Sequence, residues 1–391
     1  MAAGLDRRPD VSRRARVALD RERGRENPTE EPAGLLSVRV ARPVMTDDVR
    51  ERVDAAIRRR RERVNEGIRE QLPIQHPERL YEASRYLLDA GGKRLRPTVL
   101  LLAAEGVTDA EPLSTDYRSF PDVGGEPVDV LSAAVSIEVI QSFTLIHDDI
   151  MDDDDMRRGV RSVHREFDLE TAILAGDTLY SKAFEMMLET GAPADRTVRA
   201  LSELATTCTS ICEGQSLDVS FERGSDVTVE AYLEMIEWKT AVLYAAAASI
   251  PALLLGADEA TVDALAQYGL DVGRAFQIQD DLLDLTTPSE ELGKTRGSDL
   301  VEGKRTLITL HARQQGVDVD ALVDADSVEA VDEAAIEAAV AELRDAGSIE
   351  FARRTALDLI EDGKARLDVL PGNEPVTLLR GIADYLVERT Y

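Results

Sequence analysis

The chain has 391 residues, 75 acidic against 46 basic, and a formal net charge of −29. That balance argues against a nucleic-acid partner, while 43% hydrophobic residues leave ample material for a core. Only six of the basic residues are lysines, the pattern of a protein working in concentrated salt, where screening removes self-repulsion. Drift in a GC-rich gene would also exchange lysine for arginine. Aromatic residues are scarce and alanine is abundant, which suits packed helices.

Residues 1–44 hold ten arginines against seven acids and no sustained apolar face, so they read as a disordered basic extension. Met45 opens a segment that looks like a natural domain start, and 45–391 is expected to form one domain. No apolar run follows the Arg-rich start, so no secretory signal is read.

An amphipathic helix is predicted over 47–70, with Val49, Val53, Ile57, Val64 and Ile68 inward and Arg58 to Arg61 on a solvated face. After a second short helix comes Gly91-Gly92-Lys93-Arg94-Leu95-Arg96-Pro97. Two glycines let a backbone approach a ligand, three cations follow, and Pro97 suits the first turn of a helix, so the turn fits an anion. Residues 106–127 form a long acidic connection.

From Val128 to Met151 an almost uninterrupted apolar helix carries Gln141, Thr144, Asp148 and Asp152 on one face. Its end reads Asp148-Asp149-Ile150-Met151-Asp152, followed by Arg157-Arg158-Gly159. Further helices are expected over 169–190, 193–213, 229–255 and 258–286. They contain Gln215 and Asp218 near the end of the second, and Trp238-Lys239-Thr240. Cys208 and Cys212 stand at i, i+4, with no zinc set around them and a disulfide unlikely across one helical turn. They read as small buried residues of a reducing cytosol. The uncharged stretch Thr240 to Ala257, broken by Pro251, is short for a bilayer span and reads as a central buried helix.

A second aspartate motif follows, Gln277-Ile278-Gln279-Asp280-Asp281-Leu282-Leu283-Asp284. Behind it come Gly293-Lys294-Thr295 and Asp299, then Gly303-Lys304. The rest is again helical, broken near Gly347 and Pro371-Gly372, with no period-2 alternation long enough for a sheet. Acidic runs are common in so acidic a chain, and Asp152 to Asp155 alone carry little weight. The repetition of D-D-x-x-D inside apolar helical runs is another matter. Carboxylates at i and i+4 lie on one helix face and repel unless a cation sits between them. Mg²⁺ takes one or two carboxylates plus phosphate oxygens, so two such faces suggest a metal-diphosphate clamp.

Together these motifs resemble the trans-isoprenyl diphosphate synthase family, the head-to-tail prenyltransferases, over about residues 46–391. The resemblance implies an all-α bundle around a central cavity, a homodimer, a cytoplasmic location and no integral membrane association. It implies condensation of isopentenyl diphosphate with allylic diphosphates using Mg²⁺, three ions per site, with Mn²⁺ as a substitute. Asp148, Asp149 and Asp152 would bind metal from one side and Asp280, Asp281 and Asp284 from the other. Arg157, Lys239 and Lys294 would contact the allylic diphosphate, and Gly92, Lys93, Arg96, Gln141 and Arg158 the isopentenyl diphosphate. Thr240 and Gln277, with the Lys239 carbonyl, would face the developing cation, and Lys304 with Asp299 matches a mobile segment closing the site.

Phe143, five positions before the first motif and followed by Thr144, resembles the archaeal geranylgeranyl pattern. A C20 product with some C15 is therefore expected. Helix geometry puts Thr144 more squarely beneath the metal face than Phe143. A longer-chain synthase shares every catalytic motif. A class I terpene cyclase would need a different second motif, and a non-catalytic partner subunit would have eroded aspartates. From the charge balance, solubility and activity should rise with salt toward the molar range. An activity optimum near 0.1 M in a salt titration would refute that reading.

Overall fold

Side-chain caps and close glycine contacts set where the helices begin and how near they come. The computed structural model describes residues 45–110, 113, 116–223, 227–288, 296–323 and 333–388; the predicted extension 1–44 lies outside them. Thr46 accepts from the Val49 amide and starts α1 (Asp47–Gln71), with Asp47 and Asp48 in the first turn complementing its dipole. Val53, Ile57, Val64 and Ile68 are buried as the periodicity predicts. Arg60 is not solvated: it falls on that same stripe, is 1% exposed, and pairs at 2.5 Å with buried Glu105.

Next come α2 (Glu78–Asp89) and α3 (Leu95–Thr108), which carries Glu105. A two-residue hairpin of β1 (Phe120–Pro121) and β2 (Pro127–Val128) closes the acidic connection. Asp129 caps α4 (Val130–Met151). A second hairpin, β3 (Met156–Arg157) with β4 (Val160–Arg161), holds the RRG turn. Both hairpins are too short to alternate visibly in sequence.

A short α5 (Val163–Glu166) leads to α6 (Leu169–Leu188) and α7 (Ala194–Arg223). The last runs ten residues beyond its predicted end at 213, straight through Gly214. α8 (Val229–Ile236) passes through a π-turn (Glu237–Ala241) into α9 (Val242–Leu255), and α10 (Glu259–Thr286) follows. The C-terminal part holds α11 (Ser298–Val301), α12 (Leu307–Gln314), α13 (Glu333–Asp345), α14 (Ser348–Arg366) and α15 (Glu374–Glu388). The protein is all-α, as expected.

Buried throughout from Leu243 to Leu255, α9 packs on α10, α3, α7 and α4. Two helical stretches among the described residues are long and apolar enough to cross a membrane, Val130–Met151 and Val229–Leu255. Their apolar windows are 72% and 83% buried inside the fold, which makes them core helices. Cys208 is buried as expected, but Cys212, one turn further along α7, is exposed.

Three glycines let the π-turn and α9 be gripped closely. A Cβ at Gly214 would collide with the Lys239 backbone, one at Gly269 with the Tyr244 carbonyl, and one at Gly273 with Ala241. These obstacles are backbone atoms of the bundle's centre, which cannot swing aside. Gly269→Ala should therefore destabilise the protein by about 1–3 kcal/mol, read as a shift of the urea midpoint.

Candidate active site

The two aspartate motifs end facing helices, α4 and α10, and a cavity of about 290 Å³ opens between them. Its lining includes Arg96, Gln141, Thr144, Asp148, Arg157, Lys239, Thr240, Gln277 and Asp280, all expected from sequence. It also includes Gln215 and the apolar Leu145, Ile211, Leu243 and Phe276. Cations and carboxylates share its wall with apolar side chains. Such a space can hold a charged head and an apolar chain.

Several of the charges here are paired. Burial pushes the Asp148 carboxyl up to about 6, although Lys239 opposes the shift. Asp149 is fully buried and likewise pushed up to about 6, chiefly by burial, against the pull of Arg157, whose Nε donates to it at 2.6 Å. The other oxygen of Asp149, Oδ2, has no hydrogen-bond partner among the described residues. Asp152 is the exposed C-cap of α4, donating its amide to the Asp148 carbonyl at 2.8 Å. Lys239 Nζ lies 2.5 Å from Asp218 Oδ2; burial works against its charge, but Asp218 and Asp148 hold its pKa above the ordinary value.

The second motif presents its aspartates unequally. Asp280 lines the cavity. Asp281 accepts from Tyr232 Oη at 2.6 Å and Gln277 Nε2 at 3.0 Å, while Gln277 Oε1 accepts from the Thr240 hydroxyl at 3.0 Å. Burial raises the Asp281 pKa strongly. Asp284 is 1% exposed and accepts from Ser298 Oγ at 2.8 Å and the Asp299 amide at 3.1 Å, tying down the start of α11. The metal role expected of Asp281 and Asp284 thus meets side chains already engaged by the protein. Among the described residues no group of three or more His, Cys, Asp or Glu side chains is arranged to hold an ion.

Arg96 stacks over Tyr244 at 4.3 Å and over Phe276 at 5.8 Å. Exposed Lys93 sits 5.5 Å from the Tyr385 ring, and exposed Gly92 has a φ of +130°. Arg158 is turned onto protein carbonyls, with Nη1 2.7 Å from Gly91 O. Lys304 pairs with Asp299 at 3.2 Å and Glu302 at 2.9 Å. Lys294 lies outside the described residues. Phe143 packs edge-on against His147 and Tyr180, with centroids 4.9 and 5.4 Å away, whereas Thr144 lies on the cavity wall.

The polyprenyl synthetase family model matches residues 77–343. The chain belongs to the polyprenyl synthetase family. It is 74% identical to a geranylfarnesyl diphosphate synthase of Natronomonas pharaonis, over 87% of this chain and 98% of that one. The solved geranylgeranyl pyrophosphate synthetase of Geoglobus acetivorans superposes with a TM-score of 0.75 at 44% identity, covering 85% of this chain and 99% of that one. A polyprenyl synthase from Caulobacter crescentus, solved with calcium and isoprenyl diphosphate, superposes at 0.73 with 31% identity, covering 87% and 98%. The protein is accordingly a prenyltransferase, a short-chain isoprenyl diphosphate synthase of a family that works with divalent metal ions.

Sequence reasoning left four site-bordering residues without a role. Gln215 and Asp218 stood in view as polar residues on α7, Tyr232 gave no signal, and Glu138 is the only charged residue between Val130 and His147. A lone charge inside an apolar helix was the signal for the last. The raised carboxyls also fix a sign for the synthase's stability. With Asp148 and Asp149 near 6 when folded and near 3.8 when unfolded, the folded chain holds more protons between these values. Stability of the metal-free, ligand-free protein should fall as pH rises from about 4 through 6 and then level off. Denaturant melts across pH should show a shallower fall in Asp148→Asn.

Proposed function

We propose that the chain condenses isopentenyl diphosphate with dimethylallyl, geranyl, farnesyl and geranylgeranyl diphosphates, ending at C25 and releasing some C20 on the way. The observation that carries the product length is the helical phase of α4. Thr144, a small side chain, borders the cavity one turn below Asp148, while Phe143 is held in an aromatic stack against α6. The 74% identity to a geranylfarnesyl diphosphate synthase supports the same reading. A C20 end product is the second reading, favoured by the Geoglobus relative and by the single aromatic at position 143.

The donor set fits a hard divalent ion. Both helices carry carboxylates, and Asp149 Oδ2 is buried without a hydrogen-bond partner among the described residues, an acceptor of the kind a hard cation takes. Asp148, Asp149 and Asp152 would hold Mg²⁺ from α4 and Asp280 from α10, three ions per site with Mn²⁺ able to substitute. These ions supply Lewis-acid neutralisation of the departing diphosphate. Arg157 and Lys239 aim positive charge at the same group, and Lys294 and Lys304 add to it. Lys93, Arg96 and Gln141 receive the isopentenyl diphosphate. The allylic cation is attacked by the isopentenyl double bond, facing Thr240 and Gln277, whose orientation Asp281 and Tyr232 fix. The leaving diphosphate accepts the final proton. Exclusion of water by the apolar side chains of the wall protects the cation.

A homodimer is supported by an apolar strip on α6, where Leu169, Ile173, Leu174, Tyr180 and Leu188 are exposed. A cytoplasmic setting and a role in lipid biosynthesis go with this reading.

The test is a radiolabelled synthase assay on the purified chain with product sizing. Activity should require Mg²⁺ or Mn²⁺, and Asp148→Ala or Asp280→Ala should cut turnover at least a hundredfold, about 3 kcal/mol. Thr144→Phe should move products toward C15, and Phe143→Ala should change them less. A wild type stopping at C20, with Phe143→Ala lengthening the product, would overturn the C25 assignment.

A further inference from the structure

Two cationic loops meet at one buried carboxylate. Glu138 of α4 is 3% exposed. Its Oε1 accepts from Arg94 Nη1 at 2.5 Å and from Arg158 Nη2 at 3.3 Å. Arg94 belongs to the turn Gly91–Arg94 and Arg158 to the β3–β4 hairpin, so one oxygen joins two loops that sequence places far apart. Both arginines have left-handed backbones, with φ of 54° each. That conformation is costly outside glycine and persists where surroundings hold it.

Further guanidinium hydrogens go to the protein as well. Arg94 Nε donates to Asn65 Oδ1 at 3.0 Å, and its Nη2 donates to the Leu88 carbonyl. Arg158 Nη1 donates to Leu87 O at 3.1 Å and Gly91 O at 2.7 Å. Both cations therefore bind carbonyls at the C-terminal end of α2, where the helix dipole favours them. Burial and the nearby charges of Arg94 and Arg96 lower the Arg158 pKa, and Glu138 works against that shift. The Gly92 site is closed by the same group: a Cβ there would come 3.2 Å from Arg158 Cζ.

We infer that Glu138 is a positioning residue for the isopentenyl diphosphate site, bridging Arg94 and Arg158 so that the GGKR turn and the RRG hairpin stand at fixed spacing. Lys93 and Arg96 then point from a fixed turn, and Arg157 from a fixed hairpin. Without the carboxylate, two guanidinium groups face each other uncompensated and the turn opens.

The inference rests on the proposed synthase reading, which the wild type tests first: a wild type without prenyl transfer removes that reading before any variant is compared. Glu138→Gln keeps the shape and removes the charge. Its KM for isopentenyl diphosphate should rise at least tenfold, while KM for farnesyl diphosphate and kcat stay within about threefold. Arg94→Lys, which cuts the same bridge from the other side, should show the same split, and calorimetric binding of isopentenyl diphosphate alone should weaken in parallel. Thermal melts accompany each variant. Unchanged KM for isopentenyl diphosphate in folded variants overturns the inference. So does a fall in stability accompanied by equal changes for both substrates, or loss of folding in both variants, since either makes the role merely structural.

Discussion

Carboxylates drawn out of water on two facing helices are the constraint around which this structure is arranged. An isolated buried carboxylate is costly, and the protein answers each one differently. Asp149 is met by Arg157, Asp281 by Tyr232 and Gln277, and Asp284 by Ser298 and the α11 backbone. Asp148 is left with a raised pKa and a neighbouring lysine. The partners come from helices, hairpins and loops widely separated in the chain. Satisfying the aspartates and assembling the fold are therefore one problem.

Overall charge sharpens it. A protein at −29 repels diphosphates, yet four of its six lysines fall within the motifs that the sequence singles out. A lysine is a compact point charge, and keeping it here while arginine serves elsewhere concentrates positive field where phosphate must enter. The arginines do different work. Arg60, Arg94 and Arg158 are tied to Glu105 and Glu138, where a planar fork can bind a carboxylate and carbonyls together. Arg96 and Arg157, which line the cavity, join the lysines in that field, while Arg60, Arg94 and Arg158 form a frame beneath it.

Much of this was legible in the sequence. The D-D-x-x-D spacing put carboxylates on helix faces, and the apolar periodicity gave the bundle and most of its boundaries. What escaped reading depends on contacts between distant segments. Arg60 looked solvated because three exposed-type arginines surround it, yet its phase matches Val53, Ile57 and Val64. Gly214 looked like a helix end, yet it is the notch that admits the π-turn. Asp281 and Asp284 share a motif with Asp280, and their hydrogen bonds from Tyr232 and Ser298 come from segments that the motif does not name.

The same distinction bears on product length. Phe143 and Thr144 are neighbours in sequence and about 100° apart on the helix, so they serve different neighbours. Gly176 of α6 decides which. A Cβ there would collide with His147, so its absence lets α6 close on α4 and hold the stack of His147, Phe143 and Tyr180. Packing at that seam removes the ring from the cavity wall and leaves a hydroxyl-bearing side chain in its place, with its own hydrogen bond satisfied by the Gln141 carbonyl at 2.9 Å. Which α4 side chain borders the cavity thus depends on how closely α6 approaches α4, a property of the helix pair.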